Sequence, residues 1–145
     1  MPSWVNIAWQ EYAKRIPSDF QLILKEVKAE PRSQGKTPKQ IMSLEATRLL
    51  NVTPQNSYTV ALDEKGKDIS TRELANMLDR CRLETQNIVF YIGGPDGLDH
   101  QLKNNAATKI KLSHLTMPHP LVRVLLAEQL YRAWSILANH PYHRT

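Results

Sequence analysis

Apolar residues along the chain follow two patterns, the three- and four-residue spacing of helices and the short unbroken runs of buried strands. Trp4, Ile7 and Ile16 fit the first pattern, which Pro17 ends. Helical spacing predicts four helices, at residues 4–15, 38–50, 70–83 and 120–138. Apolar runs predict four strands, at residues 20–27, 57–62, 87–92 and 110–115. This alternation predicts an α/β domain with a mostly parallel sheet flanked by helices.

Local signals mark several boundaries between these elements. Ser70 and Glu73 have the spacing of a capping box that opens a helix, and Thr37-Pro38 is a second helix start. Residues 63–67 have the composition of a turn. The near-continuous apolar run at 87–92 is typical of a central strand that helices cover on both faces.

The composition restricts the class of protein. A chain of 145 residues is long enough for one core, so we expect a single domain over 1–145. The single cysteine, Cys81, excludes a disulfide within one chain and favours a reduced, cytoplasmic location. Charged residues interrupt the longest apolar stretch, at 121–137, so no membrane span is expected.

The charge balance favours polyanionic partners only weakly. Lysine and arginine number 19 against 14 acidic residues, a formal net charge of +5, but the basic residues are dispersed over several segments. A stronger signal is the final helix, which is apolar nearly all round and must be covered. We expect a homodimer with residues 121–137 in its interface; the alternative is a central core helix.

Candidate chemistry is concentrated in the last third of the chain. The run Gly93-Gly94-Pro95-Asp96-Gly97 directly follows a predicted strand, where α/β sheets bind ligands, although a tight structural turn explains it equally well. His119, between Pro118 and Pro120, is either a proton acceptor or part of a helix start. Asp96 can cap the next helix, and Asp63 is a helix cap, a ribose ligand or neither.

The C-terminal tail contains polar and aromatic residues and little apolar surface. Tyr142 can stack on a base and Arg144 can pair with a phosphate or polarise a carbonyl, whereas a disordered terminus is the simpler alternative. His140 and His143 have no acidic or cysteine partners nearby, so no metal site is expected.

Together these residues resemble the SPOUT class of methyltransferases, and specifically its small type, RlmH, that modifies large-subunit ribosomal RNA. The resemblance covers nearly the whole chain. Its matching segments are Pro2-Ser3-Trp4-Val5 with Glu11-Tyr12, Leu62-Asp63, the run from Ile92 to Leu98, and the almost continuous stretch from Leu112 to Arg144. The string from Pro118 to Ile136 is highly specific.

The resemblance implies an S-adenosylmethionine-dependent enzyme that methylates N3 of a pseudouridine in 23S rRNA, acting on assembled 70S ribosomes. It also implies a C-terminal trefoil knot that holds the cofactor, and a site completed across a homodimer. The positions that match the cofactor site are Leu62, Gly93, Leu112, Ser113, His114, Leu115, Thr116 and Met117. His119, Tyr142 and Arg144 match positions associated with substrate handling and catalysis.

The chain departs from the family pattern at its beginning. Family members begin with a short apolar strand before the segment that corresponds to Pro2-Ser3-Trp4, so we expect this first strand to be missing, leaving an exposed sheet edge or a gap. A misplaced start codon and a truncated sequence are the two explanations. The competing functional classes are a non-enzymatic RNA-binding or ribosome-associated module and a small nucleotide-binding regulator.

Overall fold

The computed structural model describes residues 2–32 and 35–144. From residue 38 onward its helices and strands alternate, as the apolar pattern predicts. In chain order they are α1 (Ser3–Ala13), a 3-10 helix (Ser18–Phe20), α2 (Pro38–Asn51), β1 (Ser57–Asp68), α3 (Thr71–Leu83), β2 (Asn87–Tyr91), α4 (His100–Asn105), β3 (Thr108–Lys111) and α5 (His119–Leu137).

The three strands form one parallel sheet in the order β2-β1-β3. Ser57 lies opposite Asn87, and Val60 lies opposite both Phe90 and Thr108. The prediction of a mostly parallel sheet flanked by helices is therefore confirmed. The trefoil knot stays a prediction, because strand order alone does not test it.

Two boundaries predicted from the sequence are wrong. Residues 63–67 do not end β1 as a turn; they form an irregularity within it, so that Leu62 and Lys67 both lie opposite Ile110. A Cβ atom on Gly66 would lie 2.6 Å from the Ile110 carbonyl carbon, so only glycine allows this close approach. The last strand spans Thr108–Lys111 and not 110–115, because the residues after Lys111 leave the sheet.

The β2 side chains alternate between two apolar clusters, one on each face of the sheet. Ile88 and Phe90 pack against Leu74 and Leu78 of α3 and Leu126 of α5. On the opposite face, Tyr91 belongs to a buried cluster with residues of α2, β1 and α4, namely Ala46, Ala61 and Leu102. Coverage on both faces explains the near-continuous apolar run at 87–92.

Side-chain caps fix three of the helix starts. Thr37 with Gln40 and Ser70 with Glu73 form complete capping boxes, which confirms the predicted starts of α2 and α3. Asp99 accepts a hydrogen bond from the Leu102 amide and opens α4, a short helix that the apolar spacing did not predict.

The strand predicted at residues 20–27 is absent. Its alternation is real, since Leu22 and Leu24 are half-buried while Gln21 and Ile23 are exposed, but the segment pairs with no strand. A cavity of about 1160 Å³ is lined both by residues 21–29 and by β2. Without a neighbour within hydrogen-bonding distance, an alternating segment cannot form a ladder.

The outer edge of β2 likewise has no strand partner among the described residues. An open sheet edge and a gap therefore lie side by side at β2. Helices of both layers contribute to the lining of this gap, with Ala46 from α2, Leu78 from α3 and Leu126 from α5.

Residues 119–125 of α5 are less buried than residues 126–137. Leu130, Tyr131 and Ala133 are buried within the chain itself, so the core-helix interpretation holds for the C-terminal half. In the N-terminal half Leu121 and Leu125, one helical turn apart, are 41% and 38% exposed. Within the described residues, no helix has the length and apolar character needed to cross a membrane.

Candidate functional site

The candidate cofactor residues lie where the three strands leave the sheet. Leu62 ends the regular pairing of β1 with β3, Gly93 follows β2, and Leu112 follows β3. Because the strands are parallel, these positions share one edge of the sheet, the edge at which open α/β sheets bind ligands. The structure therefore places the three segments of the predicted cofactor site side by side.

The glycine loop closes tightly on itself. The Gly97 amide donates to the Gly94 carbonyl at 2.9 Å, and Gly97 has a φ of 84°, in the region that favours glycine. A Cβ atom on Gly93 would lie 2.6 Å from the Gly97 carbonyl carbon and 2.8 Å from the Leu98 nitrogen. Gly93 thus has a structural role in this loop, at the same place as its predicted cofactor role.

Asp96 does not cap a helix. It forms an ion pair with Arg32 at 2.8 Å, which ties residues 28–32 to the glycine loop. The segment is also fastened to α2, because the buried Glu30 carboxylate accepts hydrogen bonds from Arg48 and Lys36. Both hydrogen bonds lower the pKa of Glu30, and the one from Lys36 has the larger effect.

Asp63, the other acidic residue considered at the sequence level, forms an ion pair with Lys103 of α4 at 3.6 Å. It lies next to Leu62, at the cofactor edge of the sheet. Lys103 is a basic residue that reaches this edge from a helix the sequence did not predict.

The loop from Leu112 to Met117 is held mainly through side chains. The Ser113 hydroxyl accepts a hydrogen bond from the Leu115 amide at 2.9 Å. His114 pairs with Asp68 at 3.1 Å, and the Lys111 ammonium lies 3.2 Å from His114 Nδ1. Within residues 2–32 and 35–144, no backbone–backbone hydrogen bond joins His114, Thr116 or Met117, so their main-chain groups can bind a ligand.

His119 is the first residue of α5, and the N-cap position before it is occupied by Pro118, which makes no side-chain cap hydrogen bond. It lines the large cavity together with Gly93 and Arg123. Burial, and then the positive charge of Arg123, lower the pKa of His119 from its ordinary value near 6.5. The ring is therefore neutral at physiological pH and has a free lone pair.

A turn at Asn139 directs the tail back along α5. Asn139 has a φ of 55°, and the amide of His140 donates to the Ser135 carbonyl at 2.8 Å, the pattern of a Schellman motif. Asparagine tolerates this left-handed conformation better than most residues. The tail is consequently packed on the protein, contrary to the simpler expectation of a disordered terminus.

Tyr142 lies against the C-terminal half of α5. Its ring contacts Tyr131 with centroids 4.5 Å apart, and its hydroxyl donates to the Glu128 carboxylate at 3.2 Å. The same carboxylate accepts from Arg132, whose guanidinium lies 4.9 Å from the centre of the Tyr142 ring. Burial, and then the Glu128 charge, raise the pKa of Tyr142 to about 12.

The sequence did not identify Glu128 and Arg132 as residues that anchor the tail. In the sequence they are polar residues within the otherwise apolar stretch 121–137, and this is the one signal that could have indicated a polar contact there. Their four-residue spacing places both on one face of α5, where they form an ion pair at 2.7 Å.

The structure does not bring the three predicted catalytic residues together. Tyr131, against which the Tyr142 ring packs, lies twelve positions after His119 in α5, a rise of roughly 18 Å. Arg144 is exposed. Tyr142 thus packs against the middle and C-terminal part of α5, and His119 lies at its N-terminal end.

No group of His, Cys, Asp and Glu suited to a metal ion occurs in the described part of the chain. Cys81 is buried in the α3 side of the core, and burial raises the pKa of its thiol, so it is not an activated nucleophile.

The comparisons with known proteins cover nearly the whole chain. A family model described as "Predicted SPOUT methyltransferase" matches residues 1–143. A protein of Bordetella avium (strain 197N) named "Ribosomal RNA large subunit methyltransferase H" is 55% identical over 144 residues, 99% of this chain and 92% of that protein. A Ralstonia pickettii (strain 12J) protein of the same name is 53% identical with the same coverage.

Gly93→Ala tests whether the glycine loop requires close backbone contact. The added methyl group meets the Gly97 and Leu98 backbone, so we expect a loss of about 1–3 kcal/mol in the free energy of unfolding, measured by urea denaturation. Gly94→Ala is the control, since its nearest neighbour would be the Glu45 carboxylate at 3.9 Å, and it should cost less than about 0.5 kcal/mol. Equal effects of the two variants would contradict this account.

Tyr142 should be the tyrosine that ionises at about pH 12 in a spectrophotometric titration of the folded protein. Tyr142→Phe should remove this component, whereas Tyr58→Phe should leave it. Glu128→Gln should lower the pKa of Tyr142, because it removes a negative charge that opposes ionisation. Because unfolded tyrosine ionises near 10, the stability that this group contributes is lost as pH rises from about 10 to 12. Unchanged titration in Tyr142→Phe would refute the assignment.

Proposed function

This chain belongs to the SPOUT methyltransferase family, and from that premise we propose that it is an S-adenosylmethionine-dependent methyltransferase of large-subunit ribosomal RNA. The similarity, over nearly the whole chain, to proteins named for that activity supports large-subunit ribosomal RNA as the substrate. The single structural observation that carries the proposal is the alignment of Leu62, Gly93 and Leu112 at one edge of a parallel sheet. The non-enzymatic module is the weaker alternative, because these relatives are named as enzymes.

The cofactor edge has the chemistry to bind a nucleoside. Main-chain groups of His114, Thr116 and Met117 are available to hydrogen-bond the edge of an adenine, and Gly93 lets a ligand approach the backbone. We assign the remaining contacts to Leu62, Leu112, Ser113 and Leu115. When bound, S-adenosylmethionine supplies an electrophilic methyl group.

The proposed substrate atom is N3 of a pseudouridine in 23S rRNA. Because this nitrogen carries a proton whose pKa lies well above neutrality, methylation requires removal of the proton or stabilisation of the anion. His119 is neutral and can accept a proton. Tyr142 keeps its own proton at neutral pH, so it acts as a hydrogen-bond donor or stacking surface for the base. Arg144 stabilises negative charge on a uracil oxygen.

The catalytic groups meet only if two copies of the chain form the site. Within one copy, His119 starts α5, whereas Tyr142 packs against Glu128, Tyr131 and Arg132, further along the helix by a rise of roughly 14–20 Å. Exposed apolar residues on α1 and α5 offer a surface for association: Trp4, Ile7, Leu121 and Leu125. In the proposed homodimer, the tail of one protomer completes the cofactor edge of the other.

The remaining proposed features follow from the substrate. The net charge of +5 favours association with RNA, and the assembled 70S ribosome in the cytoplasm is the proposed target. A single domain over 1–145 and the trefoil knot belong to the same proposal.

The test is transfer of a labelled methyl group from S-adenosylmethionine to 70S ribosomes from a strain that lacks the corresponding enzyme. We expect label on a single pseudouridine of 23S rRNA. Arg144→Ala should lower kcat by about 100-fold or more, the effect typical of losing one group that stabilises an anion. Arg82→Ala, an exposed arginine on α3, is the control and should retain activity. Cofactor binding without transfer to any RNA would contradict the proposal.

A further inference from the structure

The segment that leads into α2 separates its charges into paired acids and exposed cations. This basic segment, defined as residues 25–32 and 35–39, contains five basic and two acidic residues. Both acidic side chains form ion pairs, with partners on α2, on α5 and within the segment. Three of the basic residues are exposed and have no acidic partner among the described residues: Lys25, Lys28 and Lys39. The surface of the segment is therefore more positive than its composition indicates.

Side chains of α2 hold the basic segment in place. The Glu30 carboxylate accepts hydrogen bonds from Arg48 and Lys36, and the Glu30 amide donates to Glu45 Oε2 at 3.1 Å. Arg48 Nη1 also donates to the Lys28 carbonyl at 2.8 Å. The segment pairs with no strand, so these bonds take the place of a ladder in fixing its backbone. Its exposed lysines consequently have a defined location on the protein.

That location is next to the glycine loop. The ion pair between Arg32 and Asp96, at 2.8 Å, joins the basic segment to this loop directly. Lys25 and Lys28 line the same cavity as Gly93, the glycine to which we assign a cofactor contact. The exposed lysines therefore belong to a surface that borders the cofactor edge on its β2 side.

Exposed cations without acidic partners attract a ligand that carries several negative charges. The single carboxylate of a cofactor cannot meet three lysines spread over the segment, whereas a nucleic-acid backbone has a phosphate at every nucleotide. We propose that the basic segment contacts the phosphate backbone of the RNA substrate beside the cofactor edge. The identity of the polyanion as RNA rests on the proposed function, whereas the cationic surface rests on the ion pairs above. Because an ammonium group is a point charge, this contact orients the RNA without selecting a base.

The first experiment uses the wild-type protein, so it does not depend on a variant that folds. Lysines are acetylated with sulfosuccinimidyl acetate in the presence and absence of 23S rRNA, and the modified peptides are quantified by mass spectrometry. RNA should slow the modification of Lys25, Lys28 and Lys39 severalfold. Lys109, an exposed lysine of β3 at the opposite edge of the sheet, is the internal control and should react at an unchanged rate. No protection of the three lysines, or equal protection of Lys109, overturns the proposal.

The second experiment compares two double variants that lose the same charge. Lys25→Gln with Lys28→Gln should reduce the slope of log K for 23S rRNA against log salt concentration by about 1.5, since each phosphate contact contributes roughly 0.7–0.9. Arg80→Gln with Lys109→Gln removes two exposed cations from α3 and β3 and should leave the slope nearly unchanged. Equal slopes for the two double variants overturn the assignment to the basic segment, as does a wild-type protein that binds no 23S rRNA at low salt.

Calorimetric titration with S-adenosylmethionine separates RNA from the cofactor as the ligand of these lysines. The affinity of Lys25→Gln with Lys28→Gln for S-adenosylmethionine should equal that of the wild type. A loss of cofactor affinity with an unchanged salt slope overturns the assignment to RNA. Methyl transfer to 70S ribosomes is measured separately. Protection and a reduced slope without transfer contradict the proposed function alone, whereas transfer without protection contradicts the role of the basic segment alone.

Discussion

The parallel pairing of β1 with both β2 and β3 is the constraint on which the rest of the structure depends. It forces three chain segments that are far apart in sequence to end at one edge. The groups at this edge include the glycine loop, the main-chain atoms of residues 114, 116 and 117, and the ion pair between Asp63 and Lys103. Such an edge is suited to binding a cofactor, and the reacting side chains must come from elsewhere.

Helix α5 sets the second constraint. Its rigid length separates His119 from the packed tail, whose position is fixed by the turn at Asn139 and by the bond from Tyr142 to Glu128. A helix cannot shorten to bring its ends together. In the proposed homodimer a second copy of the chain brings the two parts together, and Leu121 and Leu125 are exposed near the start of α5.

The sequence predicted features that depend on local chemistry. The capping boxes, the buried run at 87–92 and the position of the glycine loop need only a few neighbouring residues to be recognised. It could not predict that residues 20–27 lack a strand partner, because a ladder depends on what lies alongside in space. Nor could it predict the tail network, since Glu128 meets Tyr142 only after the chain has turned back on itself.

The most direct test of the central claim, a site assembled from two copies, is the activity of a mixed dimer. His119→Ala and Arg144→Ala chains with different affinity tags would be co-expressed, and the heterodimer purified. Each parent should be nearly inactive, whereas the heterodimer should have one intact site of two and about half the wild-type rate of methyl transfer. A heterodimer no more active than the two single-variant homodimers would contradict a shared site. It would indicate that His119 and Arg144 of the same protomer act together.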